Sequence, residues 1–173
     1  MKKLKNVLLA VVACLLLVAM TACGGASGTL SSYVSAVKKG NFDKAAEYVY
    51  GTPDLSSYES SSSDDMITYI YEKAASSFSY SVESTTETED SDGNVVSATV
   101  KISYSVYSGT AIYVKYAAQV LTGSEATKST VNSIFKDTDK TESTATVVVI
   151  NDEDDGWVME AASAVTLIGL IWA

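Results

Sequence analysis

Asp90-Ser91-Asp92-Gly93-Asn94-Val95-Val96-Ser97-Ala98-Thr99-Val100-Lys101-Ile102-Ser103-Tyr104-Ser105-Val106 is the stretch on which the fold turns. Val96, Ala98, Val100, Ile102, Tyr104 and Val106 alternate with small polar residues and a lysine. Side chains of a strand point to opposite faces in turn, so this period of two describes a half-buried β-strand. The Asp/Gly/Asn cluster before it is a turn, since Gly and Asn accept the backbone angles that a reversal needs. Upstream of the turn, Phe78, Tyr80 and Val82 alternate with serine and glutamate, and threonines carry the run onward. Two alternating runs about one turn predict an antiparallel hairpin with one apolar face and one Ser/Thr/Lys face.

Downstream, Thr144 to Ile150 is β-branched, Asn151 to Gly156 is an acidic turn, and Trp157 to Ala161 returns. This predicts a second hairpin. Ser163 is placed to cap a short apolar helix, Ala164 to Trp172, too short to cross a membrane. Between the hairpins, Val114, Ala117, Ala118 and Leu121 fit a helix, and Ser124 is placed to cap another with Val131, Ile134 and Phe135 inward. Ile112-Tyr113-Val114 also reads as an extension of the preceding strand, and both readings stand. Before the first hairpin, Leu30, Tyr33, Val34 and Val37 recur at helical spacing. Gly40-Asn41 interrupts with Asn41 as an N-cap, and Phe42, Ala45, Ala46 and Val49 resume the stripe. Gly51-Thr52-Pro53 ends that helix. Asp64-Asp65 opens the next, with Met66, Ile67, Ile70 and Ala74 on one face. The expected class is α+β: an antiparallel sheet of about four strands, helices on one face, and a helical insertion between two hairpins.

Tyr33 to Val49, YVSAVKKGNFDKAAEYV, resembles the opening helices of small secreted lipoproteins with a nuclear-transport-factor-two-like, or cystatin-like, cone domain. Asp155-Gly156-Trp157 and the closing Ala164–Ile171 segment resemble the end of that domain. The resemblance implies a curved, cone-like sheet. The wider fold includes enzymes, accessory domains and proteins of unknown role, so it supports architecture more than activity.

The N-terminus addresses the chain. Lys2, Lys3 and Lys5 precede an apolar run from Val7 to Met20, then Met20-Thr21-Ala22-Cys23 and a small-residue stretch. A charged start, an apolar middle and small residues before a cut describe a secretory signal peptide. Cys23 after a small Ala22 resembles the lipobox of bacterial lipoproteins. That resemblance implies diacylglycerol on the Cys23 sulfur and cleavage between Ala22 and Cys23. The run is shorter than the roughly 20 residues a transmembrane anchor needs. The expected organisation is a signal peptide over 1–22, a flexible tether over 23–28 and one α+β domain over 29–173.

Composition excludes several function classes. The chain carries 12 lysines, no arginine, 21 acids and a net charge of −9. Without Lys2, Lys3 and Lys5 the mature part stands at −12. A nucleic-acid partner, which needs a basic footprint, is not expected. Zero histidine removes the commonest general base and transition-metal ligand. Cys14 would leave with the signal peptide, so Ser-His, Cys-His and ordinary zinc chemistry are excluded. Any catalysis would use Asp, Glu, Lys, Tyr or Ser.

Three features remain as site candidates. Asn151, Glu153 and Asp155 echo the start of an EF-hand loop, but Ala162 occupies the closing glutamate position, and the turn reads as a solvated acidic hairpin. Tyr80 and Tyr104 fall on the inward phase and are candidates to line a pocket. Isomerases of the resembled fold pair a tyrosine with an Asp base. No acid falls on the inward phase here. Lys38-Lys39 reads as a solvated helix end. The functional expectation is a lipid-anchored module on the outer face of the cytoplasmic membrane of a Gram-positive-type bacterium. It binds an unknown small molecule or protein, without cofactor or metal. The alternative is a small cone-fold enzyme using Asp/Tyr chemistry.

Overall fold

The computed structural model describes residues 25–58 and 64–172. Ala22 and Cys23, with the rest of the signal segment, lie outside the described residues, as does the serine tract at 59–63.

The hairpin predicted from the alternating run forms as β1 (Ser79–Glu89) and β2 (Val95–Val106). β3 (Thr141–Asp152) pairs with β2, and β4 (Gly156–Met159) pairs with β3. The sheet is four-stranded, antiparallel and open, in the order β1-β2-β3-β4. Ala98, Val100 and Ile102 face Val149, Val147 and Ala145 across the β2–β3 ladder, forming the apolar face.

Helix α1 (Ala26–Lys38) and the closing helix α6 (Ala161–Ile171) cover that face. Leu30, Tyr33, Val34 and Val37 from α1 join Ala164, Leu167, Ile168 and Ile171 from α6 in one buried core with the sheet. Helix α2 (Phe42–Ala46) follows the reversal at Gly40, whose positive φ of 67° suits glycine. The Asn41 side chain caps it, accepting from the Lys44 backbone N–H at 3.0 Å. α2 ends sooner than the stripe predicts. Val49 leaves it for a parallel bridge to Met159, so segment 48–50 covers the β4 edge.

Asp64 starts α3 (Asp65–Ser76), accepting from the backbone N–H groups of Met66 at 2.8 Å and Ile67 at 3.3 Å. The segment between the hairpins is helical throughout its two arms, α4 (Gly109–Leu121) and α5 (Lys128–Lys136). Ser108 caps α4 before Ile112–Val114 can extend β2. Thr127, and not Ser124, caps α5. These helices and α3 enclose a second small core of Ile70, Ala74, Ile112, Tyr116, Val131, Ile134 and Phe135.

Three further expectations change. The tether read over 23–28 is already helical from Ala26, because Ala26 is buried against the core. Ser163 lies inside α6, and Glu160 holds its N-cap position. The Ser163 hydroxyl accepts from Val148 N–H at 2.9 Å and donates to Glu160 Oε2 at 2.8 Å, fastening the helix to β3. In β1, a register shift between Val82 and Ser84 moves the phase. Thr85 and Glu87 then stand opposite the core residues Val100 and Ala98, so an acid does take an inward register position. Beyond Tyr80, β1 is exposed on both faces.

Candidate functional site

Tyr80 and Tyr104 are direct cross-strand partners. Both rings pack on Phe78, which ends the turn after α3. Phe78 stacks on Tyr104 at 5.8 Å between centroids and lies tilted to Tyr80 at 6.2 Å. The tyrosines so join one aromatic cluster at the rim of the core. Among the described residues, no carboxylate is hydrogen-bonded to either hydroxyl. Glu87, the acid shifted inward, sits seven residues along β1 from Tyr80, about 23 Å of strand at ~3.3 Å per residue.

Two open clefts border Tyr80. One, of about 370 Å³, lies over Ser79, Ser81, Ser103, Ser105 and Glu142 on the polar face of the sheet. The other, of about 520 Å³, runs between α1 and the start of β1. Its walls are Ser31, Val34, Ser35, Lys38 and Lys39 on one side and Ser76, Phe78, Ser79 and Tyr80 on the other.

Lys38 gives this second cleft its charge. The sequence reads it as solvated, yet it is half-buried, and its Nζ donates to the Phe78 carbonyl at 2.6 Å. Beside it, Lys140 Nζ donates to the Ser77 carbonyl at 2.5 Å. Both ammonium groups meet carbonyls just beyond the C-terminus of α3, the negative end of its dipole. Burial lowers the Lys38 pKa, and the Lys140 charge lowers it further. Neither lysine has a carboxylate within 4.0 Å among the described residues, where the ion pairs are Lys44–Glu47 and Lys101–Glu83. No signal in the sequence marks this convergence. Lys38 lies 40 residues from Phe78, and Lys140 lies 63 from Ser77.

In each acidic turn the leading aspartate accepts from the turn's own backbone. Asp90 accepts from the N–H groups of Asp92 and Asn94, both at 2.9 Å. The Asn94 bonds, first of all, hold its carboxyl below the usual range. Asp152 accepts from Asp154 and Asp155 N–H at 3.0 and 3.1 Å. Asn151 is turned away, its amide donating to the Val95 carbonyl at 2.7 Å. Among the described residues, no three His, Cys, Asp or Glu side chains gather as a metal site would require. Nor is any described helix long and apolar enough to cross a membrane.

Comparison with protein-family models, with curated proteins and with solved structures found no match.

Proposed function

We propose that this chain is an extracellular lipoprotein, held at the outer face of the cytoplasmic membrane through Cys23, whose domain is a non-catalytic binding module. The anchor rests on the lysine-led apolar run and Met20-Thr21-Ala22-Cys23. The covered inner face of β2 and β3 carries the binding-module half of the reading. α1 and α6 occupy the space where a cone-fold enzyme would keep its chamber, and Tyr80 and Tyr104 spend their rings on Phe78. Acid–base chemistry profits from a water-excluded site with a base in hydrogen-bond reach of its partner. The clefts here are open, Glu142 in one of them makes no hydrogen bond to Tyr80 or Tyr104 among the described residues, and the inward Glu87 lies far along β1. Open clefts with hydroxyls and an unpaired ammonium suit recognition better than turnover.

Mass spectrometry of the N-terminal peptide tests the anchor, alongside fractionation of a Cys23→Ser variant. The expected peptide begins at Cys23 and carries diacylglycerol, and the variant leaves the membrane fraction. An unmodified cysteine, or a mature terminus elsewhere, would overturn the reading.

A further inference from the structure

We propose that the cleft between α1 and the start of β1 binds a small hydroxylated carboxylate of the sugar-acid type, with Lys38 as its counter-charge. The inference rests on reading the domain as a binding module, and it does not depend on the lipid anchor.

The first support is charge. Of the nine lysines from Lys38 onward, Lys44 and Lys101 form ion pairs among the described residues and seven do not, so what counts is where an unpaired ammonium is placed. Lys38 stands in the wall of this cleft with its ammonium fixed on the Phe78 carbonyl, and Lys39 lines the same cleft. The Phe78 carbonyl accepts one of the three N–H bonds of Lys38, fixing its position and leaving two to offer. Lys140, close enough to depress Lys38, adds positive potential from behind. An anion entering here would relieve the repulsion between the two ammonium groups. A charge-assisted hydrogen bond to a partly buried ammonium is stronger than a neutral one.

The second support is the lining. Ser31 and Ser35 stand one turn apart on α1, and Ser79 borders the cleft at the start of β1. None of these three hydroxyls donates or accepts in a side-chain bond among the described residues. They can both donate and accept, which suits the hydroxyls of a sugar better than an apolar acid. The half-buried Tyr80 and the buried Val34 and Phe78 complete the lining. The volume, about 520 Å³, lies within the range of small-molecule sites. Arginine is absent from the chain, so a bidentate grip on the carboxylate is not available, and binding should be modest and salt-sensitive.

The test is a titration of the chain as cells process it, purified in detergent and followed by amide NMR. Glucuronate is the probe; glucose and acetate separate its hydroxyls from its charge. Saturable shifts are expected for residues 31–39 and 76–80 with glucuronate, weaker ones with acetate and none with glucose. Raising the salt should weaken binding. Lys38→Gln should weaken it about tenfold, the loss of one charge-assisted bond. Because Lys38 also holds the Phe78 carbonyl, two exposed positions guard against a folding defect. Lys39→Gln should weaken binding less, and Ser31→Glu should abolish it by placing a carboxylate in the cleft. Shifts that are equal for glucose, that spread over all lysines, or that survive Ser31→Glu would overturn the inference. An anchored protein that ignores glucuronate sinks the inference alone, while consumption of the probe would instead refute the non-catalytic reading.

Discussion

Tyr33 shows how one side chain couples two distant elements. It is fully buried on α1, and its hydroxyl donates to the Ala164 carbonyl on α6 at 2.8 Å, across 131 residues. Burial pushes its pKa well above the ordinary tyrosine range, with the nearby Tyr58 adding to the shift. In the unfolded chain the same hydroxyl ionises near the ordinary tyrosine value, about 10. The stability it contributes is therefore fully present below pH 10 and is lost as the pH rises above it. Tyr33→Phe should cost about 1 kcal/mol at neutral pH, the usual net worth of one hydrogen bond. That corresponds to roughly 2–4 °C in melting temperature for a domain of this size. The variant should also lose part of the steep alkaline decline of the parent, which thermal melts between pH 7 and 11 will compare. Equal alkaline declines would refute the assignment. The helical stripe in the sequence marks Tyr33 as inward, but its partner is invisible there. A hydroxyl–carbonyl bond between elements leaves no period, and the same holds for Lys38 on Phe78.

Among the elements, those legible in advance are the ones whose patterns are local. β2 alternates cleanly because one face meets the core and the other meets water, and its strand appears where the alternation lies. Asn41 and Asp64 cap their helices because capping acts within three residues. Two misreadings have non-local causes. The inward acid of β1 follows from an extra residue at the Val82–Ser84 shift, which no alternation count locates. The early start of α1 follows from the burial of Ala26, since Ala26–Gly28 has the composition of a linker. The closing helix was legible from apolarity alone, and its role is now concrete. Ala164, Leu167, Ile168 and Ile171 are buried, and Trp172 donates its indole N–H to the Val37 carbonyl at 3.0 Å while packing on Phe42. Leu167→Ala should cost about 2–5 kcal/mol. Truncation after Ser163 removes the whole set, against a total stability of only about 5–15 kcal/mol for a typical domain. The truncated chain should show no cooperative melt by circular dichroism. A cooperative transition at the parent temperature would mean that α6 is dispensable to the core.

For the whole molecule, the early start of α1 bears on how a lipid-anchored domain would stand. Gly28 and Thr29 N–H groups bond the Gly25 carbonyl, and the Thr29 hydroxyl donates to Trp157 at 2.9 Å. The domain is thus firm from Ala26, and only Gly24 and Gly25 separate it from Cys23. Three Cα steps reach at most ~11 Å. Diacylglycerol on Cys23 would therefore hold the domain against the headgroups at its α1 N-terminus. The acidic β3–β4 turn lies at that end, with Asp155 and Trp157 bordering the same cleft as Gly28 and Thr29. Asp152, Glu153, Asp154 and Asp155 would then lie on the membrane-facing end, where the field of charged lipid decays over about one Debye length, ~8 Å at physiological salt. Anionic lipid should repel them and tilt the turn away about the glycine pair. A dye on Asp154→Cys, with Cys23 blocked by lipid, can report its distance to a headgroup acceptor by energy transfer. The distance should be longer on anionic than on zwitterionic vesicles at low salt, and the difference should fade as salt rises. A ten-residue Gly/Ser insertion between Gly25 and Ala26 should remove most of the lipid dependence, because the turn would then float beyond the screened field. Equal distances on both vesicle types at low salt would show that the turn does not face the membrane, whatever the anchor.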